Sequence, residues 1–145
     1  MARTKHHVLL VEDSDDDVVL FELALRRSKL NETFQIVRRC RTGEDAIAYL
    51  TEPPSMVDPE PRAEIVVLDL KLPGASGFDV LRRMPHMEKR PVVGVFSTSI
   101  LDEDRDEASR LGADVFQSKT FENDVFVKFL NWLGSLAEQR LKTKR

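Results

Sequence analysis

The sequence predicts a doubly wound α/β domain, in which one five-stranded parallel sheet carries helices on both faces. Two observations lead to this prediction. Short apolar runs rich in β-branched residues recur along the chain, and amphipathic segments with helical periodicity lie between them. Parallel neighbours need crossover connections, which helices supply, so this alternation favours a parallel sheet covered on both sides.

The expected elements follow one another in strict alternation. Strands are predicted near residues 7–11, 34–39, 64–68, 91–96 and 114–117. Helices are predicted near residues 15–28, 43–51, 76–85, 102–111 and 121–140. The proline-rich segment 52–63 predicts one long loop, because proline fits neither a helix interior nor a central strand.

Length and composition predict one domain over residues 1–145, with a core at about 7–140 and a basic tail at 140–145. The net charge of −3 argues against a general nucleic-acid partner. The single cysteine, Cys40, has no partner for an internal disulfide, and no signal peptide or membrane-length apolar run is present. We therefore expect a cytoplasmic protein with no membrane partner and no attached output domain.

Charged side chains follow three of the predicted strands. Asp69 ends the run Ile65–Leu68, Glu12 and Asp13 follow the run Val8–Val11, and Lys119 follows a weaker apolar segment. In open α/β sheets, ligands bind in the crevice at the carboxyl ends of the strands. We therefore expect these acids and the lysine to converge at one edge of the sheet.

Converging carboxylates repel one another when ionised, and a divalent cation relieves that repulsion. Mg²⁺ favours one or two carboxylates, water and phosphate oxygens, so Glu12, Asp13 and Asp69 predict a magnesium site. Asp69 can then act as a nucleophile that forms an aspartyl-phosphate, while Lys119 neutralises charge on the transferred group. The hydroxyl of Ser97, at the end of the fourth strand, can bond a phosphoryl oxygen.

In this order the residues resemble the receiver domain of two-component response regulators, whose (βα)5 fold is flavodoxin-like. The resemblance covers nearly the whole chain and includes Pro73-Gly74, Gly77 and Gly112-Ala113. It implies the following roles: an acidic metal pair for Glu12 and Asp13, with Glu12 acting through water, phospho-acceptor for Asp69, metal ligand through its carbonyl for Lys71, switch hydroxyl for Ser97, conserved-type lysine for Lys119, and rotating aromatic for Phe116.

Three positions depart from the family pattern. Thr120 stands where most receivers have a proline, Thr98 replaces a smaller residue beside the switch hydroxyl and narrows access to Asp69, and Phe116 lacks a tyrosine hydroxyl. A further set of features resembles the stand-alone regulators of bacterial phytochrome kinases: the Ser97-Thr98-Ser99 run, the Lys119-Thr120 step, the proline-rich segment and Trp132. The resemblance implies a phosphorelay protein that accepts a phosphoryl group from a histidine kinase of this kind. It implies no enzyme acting on a separate substrate, apart from self-catalysed phosphotransfer and dephosphorylation.

Other interpretations remain open from the residues alone. Ser14 and the acids at 15–17 fit a helix N-cap with an acidic first turn. A receiver-fold interaction module that takes no phosphate is one alternative function. A dehalogenase-like phosphatase is another, although it usually has a second acid where this chain has Lys71.

The last predicted helix has an apolar side broader than a core-facing helix needs. This surplus predicts a homodimer through the last helix and the last strand, since exposed aromatic flanks are typical of interfaces. The alternative is that a long helix simply covers a broad piece of the sheet. The candidate interface residues are Phe121, Val125, Phe129, Trp132 and Leu136.

Overall fold

The computed structural model describes residues 5–52, 57, 61–84, 90–99 and 101–143. The strands are β1 (His6–Val11), β2 (Phe34–Cys40), β3 (Ile65–Leu68), β4 (Val92–Ser97) and β5 (Val115–Ser118). The helices are α1 (Asp15–Arg27), α2 (Gly43–Thr51), α3 (Gly77–Arg83), α4 (Asp102–Arg110) and α5 (Asn123–Thr143). A short 3-10 turn at Leu30–Glu32 lies between α1 and β2.

The five strands form one parallel sheet in the order β2-β1-β3-β4-β5. The chain adds β2 on one side of β1 and the later strands on the other side, so β1 and β3 lie side by side within the sheet. Val11 pairs with Leu68 across them, and Ser97 pairs with Ser118 across β4 and β5. Because the strands are parallel, the residues that follow β1, β3 and β5 lie at one edge of the sheet. Ser97, the last residue of β4, lies at the same edge.

The sheet separates two apolar layers. Alternate residues of the central strands face opposite sides, because successive side chains of a strand point to opposite faces. On one side they pack against Phe21 of α1 and Phe126 and Leu133 of α5. On the other side they pack against α2, α3 and the single buried residue of α4, Ala108. Strands buried on both faces explain the all-apolar runs of the sequence.

The predicted fold class is confirmed, and the predicted elements lie within a few residues of the observed ones. The helix expected at 121–140 begins at Asn123 and continues to Thr143. The 3-10 turn was not predicted, since three residues are too few to show a period. Most of the loop predicted at 52–63, and residue 85 of the third predicted helix, lie outside the described residues.

The surface of α1 carries exposed apolar side chains. Val19, Leu20 and Leu23 are 53%, 44% and 49% exposed and face away from the sheet. None of the helices within the described ranges is both long enough and apolar enough to cross a membrane.

His6 is a buried polar residue at the amino end of the sheet, opposite the crevice. Its Nδ1 lies 3.0 Å from Oε1 of Glu64, and its Nε2 lies 3.5 Å from Oε1 of Glu138. The hydrogen bond with Glu64 raises the pKa of His6 and outweighs the opposing effect of burial. When protonated, His6 of β1 therefore forms ion pairs with Glu64, directly before β3, and with Glu138 of α5.

We expect the His6 link to stabilise the fold more at pH 6 than at pH 9. A histidine whose folded-state pKa is raised contributes stability that is present below its ordinary value and is lost as the pH rises through the folded-state value. Compared with wild type, His6→Gln should lose about 1.5 kcal/mol more at pH 6 than at pH 9, as for a charge-assisted hydrogen bond. Urea unfolding at both pH values measures this difference. His7→Gln serves as the control, and an equal pH dependence in both variants would contradict the assignment.

Candidate functional site

The crevice at the carboxyl edge of the sheet brings together side chains from four strand ends. Glu12 and Asp13 follow β1, Asp69 follows β3, Ser97 ends β4, and Lys119 follows β5. Backbone hydrogen bonds continue the sheet past the strand ends. The N–H of Asp69 donates to the carbonyl of Val11 (3.1 Å), and the N–H of Lys119 donates to that of Ser97 (2.8 Å). The parallel register therefore fixes these positions before any side chain contributes.

Asp69 lies at the bottom of the crevice and is only 6% exposed. Its Oδ1 accepts hydrogen bonds from the hydroxyl of Ser97 (3.0 Å) and from the backbone N–H of Lys71 (3.1 Å). Its Oδ2 lies 3.2 Å from Nζ of Lys119. A carboxylate with these donors is held in one orientation, as a positioned nucleophile must be.

A glycine lets the chain turn tightly behind Asp69. A Cβ on Gly77, the first residue of α3, would lie 2.4 Å from the carbonyl oxygen of Asp69 and 2.7 Å from Cα of Leu70. Both neighbours are backbone atoms that cannot move aside. Gly74, with φ of +72°, occupies the left-handed region earlier in the same turn. The two glycines return the chain to α3 beside the strand end without covering the crevice.

Lys119 is the cation of the site, and its side chain is 8% exposed. Its Nζ lies 2.6 Å from Oε1 of Glu12, 2.9 Å from Oδ2 of Asp17 and 3.2 Å from Oδ2 of Asp69. Burial alone would lower the pKa of Lys119. The hydrogen bonds to Glu12 and Asp17 and the charge of Asp69 outweigh burial, so the pKa is raised and the ammonium remains charged.

Glu12 is buried beside this lysine. Burial raises the pKa of Glu12, while hydrogen bonds from Lys119 and from the N–H of Ser14 partly oppose that rise. The backbone at Glu12 is also fixed, since Nε of Arg39 donates to its carbonyl at 2.8 Å. The same guanidinium contacts Asp15 at 2.8 Å, so one side chain of β2 secures the segment that carries the acids.

The carboxylates fit a hard divalent cation. One oxygen from each of Glu12, Asp13 and Asp69 can lie within 4.8 Å of the others. Glu12 and Asp69 are buried, whereas Asp13 is exposed. A set of oxygen donors that is open on one side leaves room for water or a phosphate oxygen, which Mg²⁺ usually keeps as ligands. These three residues therefore fit the predicted metal.

The remaining predicted residues lie around this centre. Thr98 is exposed, and among the described residues no hydrogen bond joins it to Asp69. Phe116 of β5 is half-buried, and the guanidinium carbon of Arg105 lies 5.2 Å from its ring centroid. For Lys71, the structure shows its N–H bonded to Asp69, while its carbonyl stays a predicted ligand. The peptide bond between Lys119 and Thr120 is trans, as are all those described.

The predicted interface residues of α5 divide into two groups. Trp132 is 60% exposed, and Val125 is half-buried, while Leu136 is half-buried and packs against the core. Phe121 is half-buried and packs against the core. Phe129 is buried inside its own chain and offers no surface to a partner, which corrects that part of the predicted interface.

Two residues of the site were not recognised in the sequence. From the sequence, Asp17 is interpreted as part of an acidic first turn, and no role is assigned to Arg39. The side chain of Ser14 does cap α1 by accepting the N–H of Asp17, so the cap itself is confirmed. The sequence held no local signal for Asp17, because its partner Lys119 lies 102 positions away along the chain. For Arg39 the sequence held no signal, because its contact is to a backbone carbonyl.

The chain is similar to known proteins over most of its length. The family model for the response regulator receiver domain matches residues 8–131. Response regulator Rcp1 of Synechocystis sp. is 31% identical over 116 residues, which cover 78% of this chain and 76% of Rcp1. Response regulator GtcR of Aneurinibacillus migulanus is 28% identical over 114 residues, or 79% of this chain. The chain spans 41% of the length of GtcR and 32% of that of transcriptional regulatory protein AfsQ1 of Streptomyces coelicolor.

Solved structures agree with this match. The bacteriophytochrome response regulator RtBRR has a TM-score of 0.71 at 30% identity, over 90% of this chain and 79% of its own. The phosphorylated cyanobacterial phytochrome response regulator RcpA has a TM-score of 0.70 at 27% identity, over 97% and 96%. The Mn²⁺-bound form of Rcp1 has a TM-score of 0.70 at 27% identity, over 88% and 94%. The predicted resemblance to phytochrome-linked regulators is thereby confirmed.

We expect Asp13→Asn to weaken Mg²⁺ binding while stabilising the metal-free protein. Removing one of several clustered negative charges relieves repulsion, and it also removes a ligand. The dissociation constant for Mg²⁺ should rise by about tenfold or more, a loss of about 1.4 kcal/mol. Thermal unfolding across a Mg²⁺ titration measures both effects, because a ligand that binds only the folded state raises the melting temperature. Glu22→Gln, at an exposed acid of α1, is the control; a shift as large in this variant would contradict a site at Asp13.

Proposed function

Because this chain belongs to the response regulator receiver family, a family of phosphorylation-based two-component signalling, we propose that Asp69 accepts a phosphoryl group from a histidine kinase. The observation that carries the proposal is the position of the Asp69 carboxylate between the hydroxyl of Ser97 and the ammonium of Lys119. The alternative is that Asp69 and Lys119 form an ion pair that only stabilises the fold. The adjacent acidic set and the open crevice favour the phospho-acceptor role.

In the proposed step, a carboxylate oxygen of Asp69 attacks the phosphorus of a phosphohistidine. The new O–P bond forms as the N–P bond breaks, and the imidazole nitrogen leaves with the electron pair. The product is an acyl phosphate on Asp69. Lys119 and the hydroxyl of Ser97 are placed to hold oxygens of the transferred group, where charge is spread in the transition state.

Mg²⁺ is the cofactor we propose for this step. Asp13 and Asp69 would hold it, with the carbonyl of Lys71 as a third ligand and Glu12 bound through water. When bound, the ion neutralises charge on the phosphoryl group and orients it. The acidic set resembles the metal site of receiver domains, and the Mn²⁺-bound form of Rcp1 shows that a similar protein binds a divalent cation.

The proposed outcome of phosphorylation is a change of conformation rather than turnover of a separate substrate. Receiver domains are in general signalling modules and not enzymes. A phosphoryl group adds negative charge and strong acceptors at Asp69, so it favours a conformation in which the hydroxyl of Ser97 bonds a phosphoryl oxygen instead of the carboxylate. The ring of Phe116 would repack in that conformation. We propose a bacterial phytochrome as the kinase, supported by the similarity to Rcp1 and RtBRR.

Asp69→Asn should leave the fold intact and abolish phosphoryl acceptance. The amide is isosteric, but it lacks the nucleophilic carboxylate. Intact mass after incubation with acetyl phosphate and Mg²⁺ should show one added phosphoryl group in wild type and none in the variant. A second donor, a phosphorylated bacterial phytochrome kinase, should label wild type faster than an unrelated histidine kinase does.

The control for this experiment is Asp79→Asn, which removes an acid at the start of α3 outside the crevice. Phosphoryl transfer to the Asp69→Asn variant would overturn the assignment. A folded wild-type protein that takes no phosphoryl group from any donor would favour the interaction module instead. Equal labelling by both kinases would remove the phytochrome part of the proposal.

We also propose that the chain forms a homodimer through α5 and β5. Trp132, Leu136 and Arg140 lie on one ridge of α5 at four-residue spacing. Arg140 contacts Asp114, directly before β5, at 2.6 Å, so this ridge borders β5. In the described part of the sheet β5 is an edge strand, with backbone groups on its outer side open to pairing. An exposed tryptophan beside an open edge is a surface suited to a second copy.

Trp132→Glu should reduce self-association. Light scattering should give wild type at micromolar concentration a mass near twice that of one chain, and the variant a mass near that of one chain. Burying an unpaired charge at the centre of an interface is costly, which explains the expected loss. Leu23→Glu, which adds the same charge to an exposed apolar site on α1, should remain dimeric. A wild-type mass equal to one chain would contradict the dimer.

A further inference from the structure

The carboxylate of Asp17 does not cap its own helix but contacts Lys119. We propose that Asp17 is a resting-state counterion of Lys119 that competes with the phosphoryl group for this lysine, and so sets how readily the crevice takes a phosphoryl ligand. Asp17 is then a positioning residue that acts through Lys119. The inference rests on the proposed phospho-acceptor role of Asp69 and assigns a function to a residue outside the acidic metal set.

A comparison of α1 with α3 shows that the contact is not ordinary capping. Both helices begin with a serine cap followed three residues later by an aspartate. In α3, the carboxylate of Asp79 turns back and accepts the N–H of Ser76 at 3.0 Å, which completes a capping box. In α1, Glu12 accepts the N–H of Ser14 at 3.2 Å instead, and the carboxylate of Asp17 lies 2.9 Å from Nζ of Lys119.

The hydrogen-bonding capacity of Lys119 is fully used in this arrangement. An ammonium has three N–H groups, and three carboxylates lie within hydrogen-bonding distance of Nζ. A phosphoryl oxygen on Asp69 can bind Lys119 only if one of these contacts is given up. The contact to Asp69 weakens by itself, because an acyl phosphate replaces the carboxylate charge, and this frees one N–H. A second N–H becomes free only if Lys119 is released by Asp17 or by Glu12, which belongs to the acidic metal set. Asp17 is the remaining partner, and its negative charge stays in place.

Two physical effects of Asp17 act in the same direction. Its carboxylate occupies one N–H of Lys119, and its negative charge repels an incoming anion. Both effects disfavour a phosphoryl ligand when the metal is already bound. Neutralising Asp17 should therefore favour that ligand. If Asp17 instead held Lys119 in a productive position, neutralising it would have the opposite effect.

The test measures the affinity for beryllofluoride, a phosphoryl mimic, by titration calorimetry at saturating Mg²⁺. We expect Asp17→Asn to bind beryllofluoride about three- to tenfold more tightly than wild type, in the range of one removed hydrogen-bonded charge. Asp16→Asn is the matched control, since Asp16 is exposed on the same helical turn and forms no hydrogen bond or ion pair with the described residues. Asp17→Glu should restore the wild-type affinity, because it keeps the carboxylate.

The outcomes separate this inference from the proposed function. Binding by wild type, with Asp17→Asn no tighter than Asp16→Asn, would overturn the inference alone. Weaker binding by Asp17→Asn would show that Asp17 supports Lys119 and would also overturn it. A wild-type protein that binds no beryllofluoride with Mg²⁺ present would overturn the proposed function and the inference with it. A structural effect of the substitution would lower the melting temperature without tightening beryllofluoride binding.

Discussion

The repulsion among the carboxylates at the edge of the sheet is the constraint on which the site depends. The parallel register places Glu12 and Asp69 at the ends of neighbouring strands, and the first turn of α1 adds Asp17. Like charges at this distance destabilise a fold unless a cation lies among them. Lys119 is that cation, and its three contacts explain how these acids coexist in a largely buried site. The proposed metal binding and phosphorylation would both rearrange this one balance of charge.

The surroundings of the acids are built to keep them in place despite their repulsion. Arg39 holds the backbone at Glu12. Gly77 lets α3 begin directly behind Asp69. Ser97 and the N–H of Lys71 fix the orientation of its carboxylate. Such preorganisation is typical of functional sites, where part of the folding free energy is given up to hold groups in a reactive arrangement. The two apolar layers on either side of the sheet supply the stability that makes this possible.

The sequence was sufficient to predict the features that follow from the alternation of apolar strands and amphipathic helices. Runs such as Ile65–Leu68 are apolar because both faces of the strand are buried, so the fold class and the convergence of Asp69 with Lys119 followed from topology alone. The sequence was insufficient to predict which of two possible partners a side chain contacts. A serine with an aspartate three residues later has the same pattern in α1 and in α3, yet Asp17 and Asp79 bind different groups. The difference arises from a lysine 102 positions away from Asp17, which no local pattern contains.

The burial of α5 shows a similar limit. Helical spacing places Phe129 and Trp132 on one broad apolar side, but it does not show how much of that side the sheet covers. The structure shows that α5 packs closely against the sheet at Gly94 of β4. A Cβ at this position would lie 2.8 Å from the ring of Phe129, so only glycine allows the close approach. Phe129 is buried in the core of its own chain. The apolar surface of α5 that remains for a partner is therefore narrower than the sequence indicated.

The packing of α4 gives the proposed switch an element that can respond. Ala108 is the one buried residue of this helix, and its other attachments are polar. Asp104 bonds the hydroxyl of Ser99, which lies two residues beyond Ser97, and the guanidinium of Arg105 covers the ring of Phe116. A helix with little apolar burial costs less free energy to displace than one anchored in the core. The hydrogen bond between Ser97 and Asp69 is therefore close to a helix with little apolar burial, and the cation–π contact between Arg105 and Phe116 links that helix to β5.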